Sequence, residues 1–233
     1  MLFSRRPKFR KEDFYDREDE LRAFSKGIEV GEGLIIVYGI RRIGKTSFVQ
    51  VALTELDIPF IPIDLRKYSE SPSLLRPSAI AYVVDEVLKL YEGFTGKVKG
   101  VVGKILQHVE SLDLKLLKMK TGKKGRRLLV ESLERANRWA RKRGIRVAVV
   151  LDEAQELRII PVWRSILAWC IDTLENVTVV VTGSEVGVLS EFLKLDDPKS
   201  PLFGRPRLEI MLGKFSREQS IDYLKKGFTE ANV

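Results

Sequence analysis

The chain has 233 residues, a size that fits one large domain, and its 44% hydrophobic and 31% charged residues are typical of a globular protein. With 41 Lys and Arg against 32 Asp and Glu, the formal net charge is +9. The single Cys170 excludes an internal disulfide, and the single His108 excludes a histidine-built metal site or a Ser-His-Asp triad. Because the sequence has neither an 18-residue apolar run nor a signal-peptide core, we expect no membrane span and a cytoplasmic protein.

The predicted elements alternate between strands and helices along the chain. Strands are expected at residues 34–38, 58–64, 145–151, 177–182 and 207–211, the first of them as a buried strand. Two prolines in the second of these place it at the edge of a sheet. Helices are expected from about Lys45 to Leu56, at residues 78–92, 126–143 and 160–174, and from Ser216 onwards. This alternation indicates a parallel sheet covered by helices on both faces.

One segment carries the positive charge of the whole chain. From Lys97 to Arg146 there are 16 Lys and Arg against four Asp and Glu, a net +12, which leaves 25 − 28 = −3 for the rest. The first part of this basic segment belongs to a glycine- and lysine-rich basic insertion at residues 93–125. Within the insertion, residues 109–120 fit either a strand or a helix. The charge suits a solvated helix face, a surface for duplex DNA, or contact with an acidic partner or a membrane surface. Because aromatic residues are nearly absent, a stacking platform for single strands is not expected.

The strongest motif is the loop at residues 39–46, whose sequence GIRRIGKT matches the phosphate-binding pattern G-x-x-x-x-G-K-[ST]. It lies between a predicted buried strand and a predicted helix. Glycines let backbone N–H groups curl around a phosphate, and the helix N-terminus adds partial positive charge. Lys45 is expected at the β- and γ-phosphates and the Thr46 hydroxyl at Mg²⁺. The predicted nucleotide-binding residues of this loop are Gly39, Ile40, Arg41, Arg42, Ile43, Gly44, Lys45, Thr46 and Ser47.

A second motif ends the strand predicted at residues 145–151. Its apolar residues are followed by Asp152 and Glu153, which is the Walker B pattern. Asp152 is predicted to hold Mg²⁺, and Glu153 to act as the general base that polarises the attacking water. A Glu directly after the Asp favours water activation over transfer to a second substrate.

Two further candidate sites are less specific. Thr182 and Ser184 end the strand beside the loop, and either can hydrogen-bond the γ-phosphate or the lytic water; the alternative is a turn with a helix-capping serine. Arg205 lies in the turn-rich segment 201–207, where it can act as an arginine finger in a neighbouring subunit's site. The alternative is an ordinary surface arginine.

Five motifs in order resemble the archaeal ATPase family, which belongs to the AAA+/STAND branch of P-loop ATPases. They are residues 14–21, 38–47, 151–155, 182–184 and 202–205, so the resemblance spans roughly residues 12–228. It implies an α/β P-loop NTPase fold with a five-stranded parallel sheet in the order 5-1-4-3-2, including an extra strand between the Walker A and Walker B strands.

The same resemblance implies roles for individual residues. Phe14, Tyr15 and Arg17 belong to a box expected near the adenine. Thr182 or Ser184 takes the sensor role, and Arg205 the finger role.

The predicted divisions are a basic N-terminal tail at residues 1–12, an ATPase core at 13–215 that contains the basic insertion, and the start of a helical lid at 216–233. Proteins of this type normally continue into a lid that contributes a second sensor arginine. We therefore expect a lid domain that is largely absent from this chain, and reduced activity.

These observations lead to two main functional hypotheses. The first is Mg-dependent ATP binding and hydrolysis, with ATP/ADP and Mg²⁺ as cofactors, coupled to conformational change or to assembly of a homo-oligomer in which Arg205 acts in trans. The second is a slow or non-hydrolysing ATP-dependent switch, associated with duplex DNA through residues 97–146. A small-molecule kinase is disfavoured by the adjacent Asp152 and Glu153.

Overall fold

The computed structural model describes residues 2–4, 6–69, 71–112, 125–184 and 186–232. Its sheet has five parallel strands in the order β2-β3-β4-β1-β5, which confirms the predicted order 5-1-4-3-2. The strands are β1 (Leu34–Tyr38), β2 (Phe60–Asp64), β3 (Val147–Asp152), β4 (Val177–Gly183) and β5 (Leu208–Met211). Because all strands run the same way, the segments that follow β1, β2, β3 and β4 meet at one edge of the sheet.

Helices cover both faces of this sheet, as predicted. They are α1 (Glu18–Glu29), α2 (Lys45–Glu55), α3 (Arg66–Ser69), α4 (Pro77–Glu92), α5 (Val102–Ser111), α6 (Gly125–Lys142), α7 (Val162–Thr173), α8 (Val186–Leu193) and α9 (Arg217–Ala231). One apolar cluster joins α1 and α2 to Ile35 and Val37 of β1, and a larger one joins α4, α6 and α7 to Leu34 and Ile36. Burial of β1 on both faces explains its unbroken apolar run.

The edge strand β2 is completed by a side chain instead of a sixth strand. The Tyr91 hydroxyl of α4 accepts a hydrogen bond from the Phe60 N–H at 2.9 Å and donates one to the Phe60 carbonyl at 3.1 Å. Pro62 lies two residues further on the same side of the strand, where its missing N–H breaks no ladder bond. These contacts satisfy the outward-facing N–H and carbonyl of Phe60, and Pro62 has no outward-facing N–H to satisfy.

Replacing Tyr91 by Phe is expected to lower the free energy of unfolding by about 1–3 kcal/mol, because it leaves the buried Phe60 N–H without an acceptor. Urea denaturation measures this change. Tyr68→Phe is the matched control, since Tyr68 is also buried but its hydroxyl makes no hydrogen bond within the described residues. Equal losses for the two variants would contradict the capping role of Tyr91.

The basic insertion is packed onto the fold in its described part. Residues 98–100 form a 3-10 turn, and α5 buries Val102, Ile105 and Val109. The sequence fits either a strand or a helix at residues 109–120, and the structure shows that residues 109–111 are helical. The remainder of that prediction from residue 113 lies outside the described residues.

The N-terminal tail packs against the C-terminal helix α9. Phe3 meets Tyr223 and Phe228 edge-on, with ring centroids 5.6 and 5.4 Å apart. Further along the tail, the Lys8 N–H donates to Ser47 Oγ at 3.0 Å, at the start of α2. The tail therefore joins the last helix to the segment that carries the phosphate-loop motif.

Helix α9 begins where the sequence predicts. The Ser216 side chain accepts from the Gln219 N–H, and the Gln219 side chain in turn accepts from the Ser216 N–H, which forms a capping box. Among the described helices, none combines the length and the apolarity needed to cross a bilayer.

Candidate nucleotide site

The segment between β1 and α2 has the backbone shape of a phosphate-binding loop. Gly44 has a φ of +100° directly before α2, a conformation that strains any residue with a side chain. Gly39 has no room for a side chain, because a Cβ would lie 2.8 Å from Ile43 Cγ2 and 3.0 Å from the Leu212 carbonyl oxygen. The loop therefore depends on both glycines of the motif, and α2 directs its N-terminal N–H groups toward it.

Lys45 is buried inside this loop, with 4% of its surface exposed. Its ammonium donates to the carbonyl oxygens of Gly39 and Ile40 at 2.9 and 3.1 Å. Burial lowers the pKa of Lys45, and the negative charges of Glu153 and Asp152 oppose that shift. The ammonium is thus held inside the loop by two hydrogen bonds to carbonyl oxygens. Phosphate oxygens can accept the same hydrogen bonds in place of these carbonyls.

The other predicted loop residues face different surroundings. Three have exposed side chains: Ile40, Arg41 and Arg42. Ile43 packs against the core beneath α1 and α2, and Ser47 is bound by the N-terminal tail.

Asp152 at the end of β3 faces the start of α2. Thr46 Oγ1 donates to Asp152 Oδ2 at 2.7 Å, and Thr182 Oγ1 donates to Asp152 Oδ1. Burial raises the pKa of Asp152, whereas the hydrogen bonds from Thr182 and Thr46 lower it. Hydroxyl and carboxylate oxygens are the ligands that Mg²⁺ prefers, so the Thr46 and Asp152 pair fits this ion together with phosphate and water oxygens.

Glu153 lies beside Asp152 in a nest of hydrogen-bond donors. Its Oε2 accepts from Ser184 Oγ at 2.6 Å, from the Ser184 N–H at 3.2 Å and from Gln155 Nε2 at 2.7 Å. Burial favours a higher pKa for Glu153, but these hydrogen bonds and the charge of Lys45 outweigh it and the pKa is lowered. The carboxylate is therefore ionised at neutral pH, as a general base must be.

The two predicted sensor residues thus occupy different positions. Thr182 contacts Asp152 with its side chain and accepts from the Glu153 N–H at 3.2 Å, while Ser184 contacts the Glu153 carboxylate. The sequence left a choice between them, and the structure brings both to the same edge.

Three residues at this edge were missed by the sequence analysis. Gln155 donates to Glu153, and Arg66 forms two hydrogen bonds to Asp64 at 2.9 and 3.0 Å. Asp64 ends β2 and Gln155 follows β3. Because polar residues after parallel strands converge on one edge, their positions were a signal that could have been used.

The Phe14, Tyr15 and Arg17 box lies between the sheet and the C-terminal segment. Phe14 packs against the core beneath α1 and α2. Tyr15 donates its hydroxyl proton to Asp222 of α9 at 2.6 Å, and this hydrogen bond, with burial and the Asp222 charge, raises its pKa to about 12. Arg17 donates to the Gly213 carbonyl, one residue beyond the segment that contacts Gly39.

Arg205 lies far from the phosphate loop of its own chain. Arg205 precedes β5. The first residue of β5, Leu208, pairs with Ile35 near the start of β1, so Arg205 lies at the amino ends of the strands, opposite to the ends that carry the phosphate loop. Its Nε and Nη2 donate to Asp172 at 2.9 and 2.6 Å.

A family model for an ATPase domain found predominantly in Archaea matches residues 14–232. The chain belongs to this archaeal ATPase family. The match covers nearly the whole chain and confirms the resemblance seen in the sequence motifs.

Solved structures agree with this assignment. The archaeal ATPase chain is 32% identical to a Walker-type ATPase of Pyrococcus abyssi, with a TM-score of 0.77 over 100% of this chain and 63% of that one. The ORC2 protein of Aeropyrum pernix, solved with ADPNP and ADP, is 12% identical with a TM-score of 0.61 over 98% and 55%. The ORC1 protein of Aeropyrum pernix, solved with DNA, is 22% identical with a TM-score of 0.51 over 93% and 50%.

These last two likenesses show the fold alone. The chain spans less than two thirds of each of these three proteins. A search of curated protein sequences finds no match to this chain.

Proposed function

We propose that this archaeal ATPase module binds ATP with Mg²⁺ and hydrolyses it to ADP and phosphate. The observation that carries the proposal is the group formed by the buried Lys45, Asp152 and Glu153 and the half-buried Thr46, in which a loop with the phosphate-binding sequence faces two carboxylates.

Each of these side chains has a distinct task in this proposal. Lys45 exchanges its loop carbonyls for oxygens of the β- and γ-phosphates, and Thr46 and Asp152 hold Mg²⁺. When bound by these two residues, Mg²⁺ would supply positive charge that offsets the negative charge of the phosphates. Glu153 accepts a proton from the attacking water, and Ser184 orients its carboxylate.

The adenine end of the nucleotide belongs to the Phe14, Tyr15 and Arg17 box in this proposal. This is supported by the hydrogen bond from Arg17 to the Gly213 carbonyl. Gly213 directly follows Leu212, whose carbonyl lies close to Gly39 at the start of the loop. Because the same box contacts α9, adenine binding there provides a physical route from nucleotide state to movement of that helix.

Calorimetric titration of the chain with ATP tests the binding part of the proposal. We expect ATP to bind with Mg²⁺ present and to bind more weakly in excess EDTA, because Thr46 and Asp152 then lack the ion that links them to the phosphates. Equal affinity in both buffers would contradict the assigned Mg²⁺ site.

Arg205 is proposed to act in trans in a homo-oligomer, which gives a specific prediction. Phosphate release per chain is expected to rise with protein concentration. Arg205→Ala is expected to abolish this rise, so that at high concentration the variant releases phosphate about tenfold or more slowly than the wild type. Arg207→Ala is the matched control, since Arg207 pairs with Glu209 at the same end of β5. A rate per chain that is independent of concentration would contradict the role of Arg205.

A slow or non-hydrolysing switch associated with duplex DNA is the second candidate. The observation that favours it is the outer face of α6, which exposes Arg126, Arg127, Arg135, Arg138, Arg141 and Lys142. The structure of the ORC1 protein is a complex with DNA. Salt-dependent binding of a duplex oligonucleotide, combined with absent turnover, would favour this candidate over the first. A cytoplasmic location is part of both proposals.

A further inference from the structure

Arg66 lies at the carboxyl edge of the sheet, beside the Walker B acids. It begins α3, two residues after Asp64 ends β2, and Asp64 is in register with Asp152 of β3. The Leu65 N–H donates to the Asp152 carbonyl at 3.0 Å, which fixes the backbone before Arg66 against the end of β3. The backbone that carries Arg66 is therefore fixed beside the end of β3, where the Walker B acids lie.

The surroundings of Arg66 are acidic and partly open. Its Nε and Nη2 donate to the two carboxylate oxygens of Asp64, and Nη2 also lies 4.0 Å from Asp152 Oδ2. The side chain is 51% exposed and that of Asp64 is 29% exposed. Arg66 can thus leave Asp64 without leaving a buried carboxylate unpaired, because water still reaches Asp64.

Arg66 is also electrostatically coupled to the other charged groups of the site. The hydrogen bond with Asp64 raises the pKa of Arg66, and the charges of Asp152 and Glu153 add to this. Burial lowers the pKa of Lys45, and the positive charge of Arg66 acts in the same direction. Lys45 and Arg66 are therefore two cations that both interact with the charges of the Walker B acids.

We propose that Arg66 leaves Asp64 and contacts the terminal phosphate of ATP bound in the same chain. This rests on the proposed ATP site and adds a second cation to it, from the helix α3 that follows β2 instead of from the loop. In this proposal the contact distinguishes ATP from ADP, because the loop backbone cradles the α- and β-phosphates and only the γ-phosphate extends beyond it. Arg66 is a ligand-sensing residue in this proposal, with Asp64 as its partner when no terminal phosphate is present.

The test compares the affinities of the full chain for Mg·ADPNP, which keeps a terminal phosphate, and for Mg·ADP. Arg66→Gln is expected to weaken ADPNP binding roughly ten- to a hundredfold, the range of a charge-assisted hydrogen bond, and to change ADP binding less than about twofold. Lys67→Gln removes the neighbouring charge from the same exposed helix and is expected to match the wild type for both nucleotides.

Asp64→Asn separates this role from that of a simple structural ion pair. Both Arg66→Gln and Asp64→Asn break the pair, but Asp64→Asn frees Arg66 for the phosphate and is expected to leave ADPNP affinity equal to wild type or higher. If the two variants weakened ADPNP binding equally, or if Arg66→Gln left the preference for ADPNP over ADP unchanged, the proposal would be wrong while the ATP site stood. Absence of ADPNP and ADP binding by the wild type would overturn the ATP site and this proposal together.

Discussion

Lys45→Ala is expected to weaken ATP binding roughly a hundredfold or more, because it removes the buried cation that the loop holds for the β- and γ-phosphates. Fluorescence titration with a labelled ATP analogue measures this loss. Among the described residues, the buried ammonium forms hydrogen bonds to the Gly39 and Ile40 carbonyls, so its removal leaves the apolar core intact.

Lys26→Ala is the matched control for this variant, since Lys26 is an exposed lysine of α1 away from the loop. It is expected to bind the ATP analogue as the wild type does. If Lys45→Ala kept wild-type affinity while remaining folded by circular dichroism, the loop would not be the phosphate site.

Glu153→Gln is expected to leave ATP affinity within about twofold of wild type and to lower hydrolysis by a factor of roughly 10² to 10⁴. The amide keeps an oxygen to accept the hydrogen bonds from Ser184 and Gln155, but it has no free carboxylate to take a proton from water. Binding by titration and phosphate release in the same samples separate the two effects.

Glu156→Gln is the control for the Glu153 variant, because Glu156 lies in the same 3-10 turn region and makes no contact with Ser184 among the described residues. It is expected to hydrolyse ATP at the wild-type rate. Wild-type turnover by Glu153→Gln would remove Glu153 from the role of general base.

The sheet and the phosphate loop were predictable from the sequence because their signals are local. The apolar runs of β1 and β3 reflect burial on both faces. Gly39, Gly44 and Lys45 stand at the spacing of the phosphate-binding motif, and the loop geometry requires glycine at the first two of these positions. The strand order came from resemblance to the archaeal ATPase family and not from periodicity, and the structure confirms it.

Other parts of the site depend on contacts between distant segments, which a single sequence does not display. The hydrogen bond from the Lys8 N–H of the N-terminal tail to Ser47 joins two residues that are 39 positions apart in the sequence. The pairing of Arg205 with Asp172 depends on packing at the opposite edge of the sheet. Arg66 belongs to no motif, and only the register of β2 with β3 brings it to the Walker B acids.

Phosphate release from ATP by the wild-type chain, with Mg²⁺ or with EDTA, tests the central claim most directly. The Glu153→Gln protein, purified in parallel, measures any contaminating activity. We expect Mg-dependent release by the wild type at a rate well above that of Glu153→Gln. Equal release by the two proteins, or no release by a wild type that binds ATP, would contradict the proposed hydrolysis and leave the nucleotide-dependent switch as the function of this site.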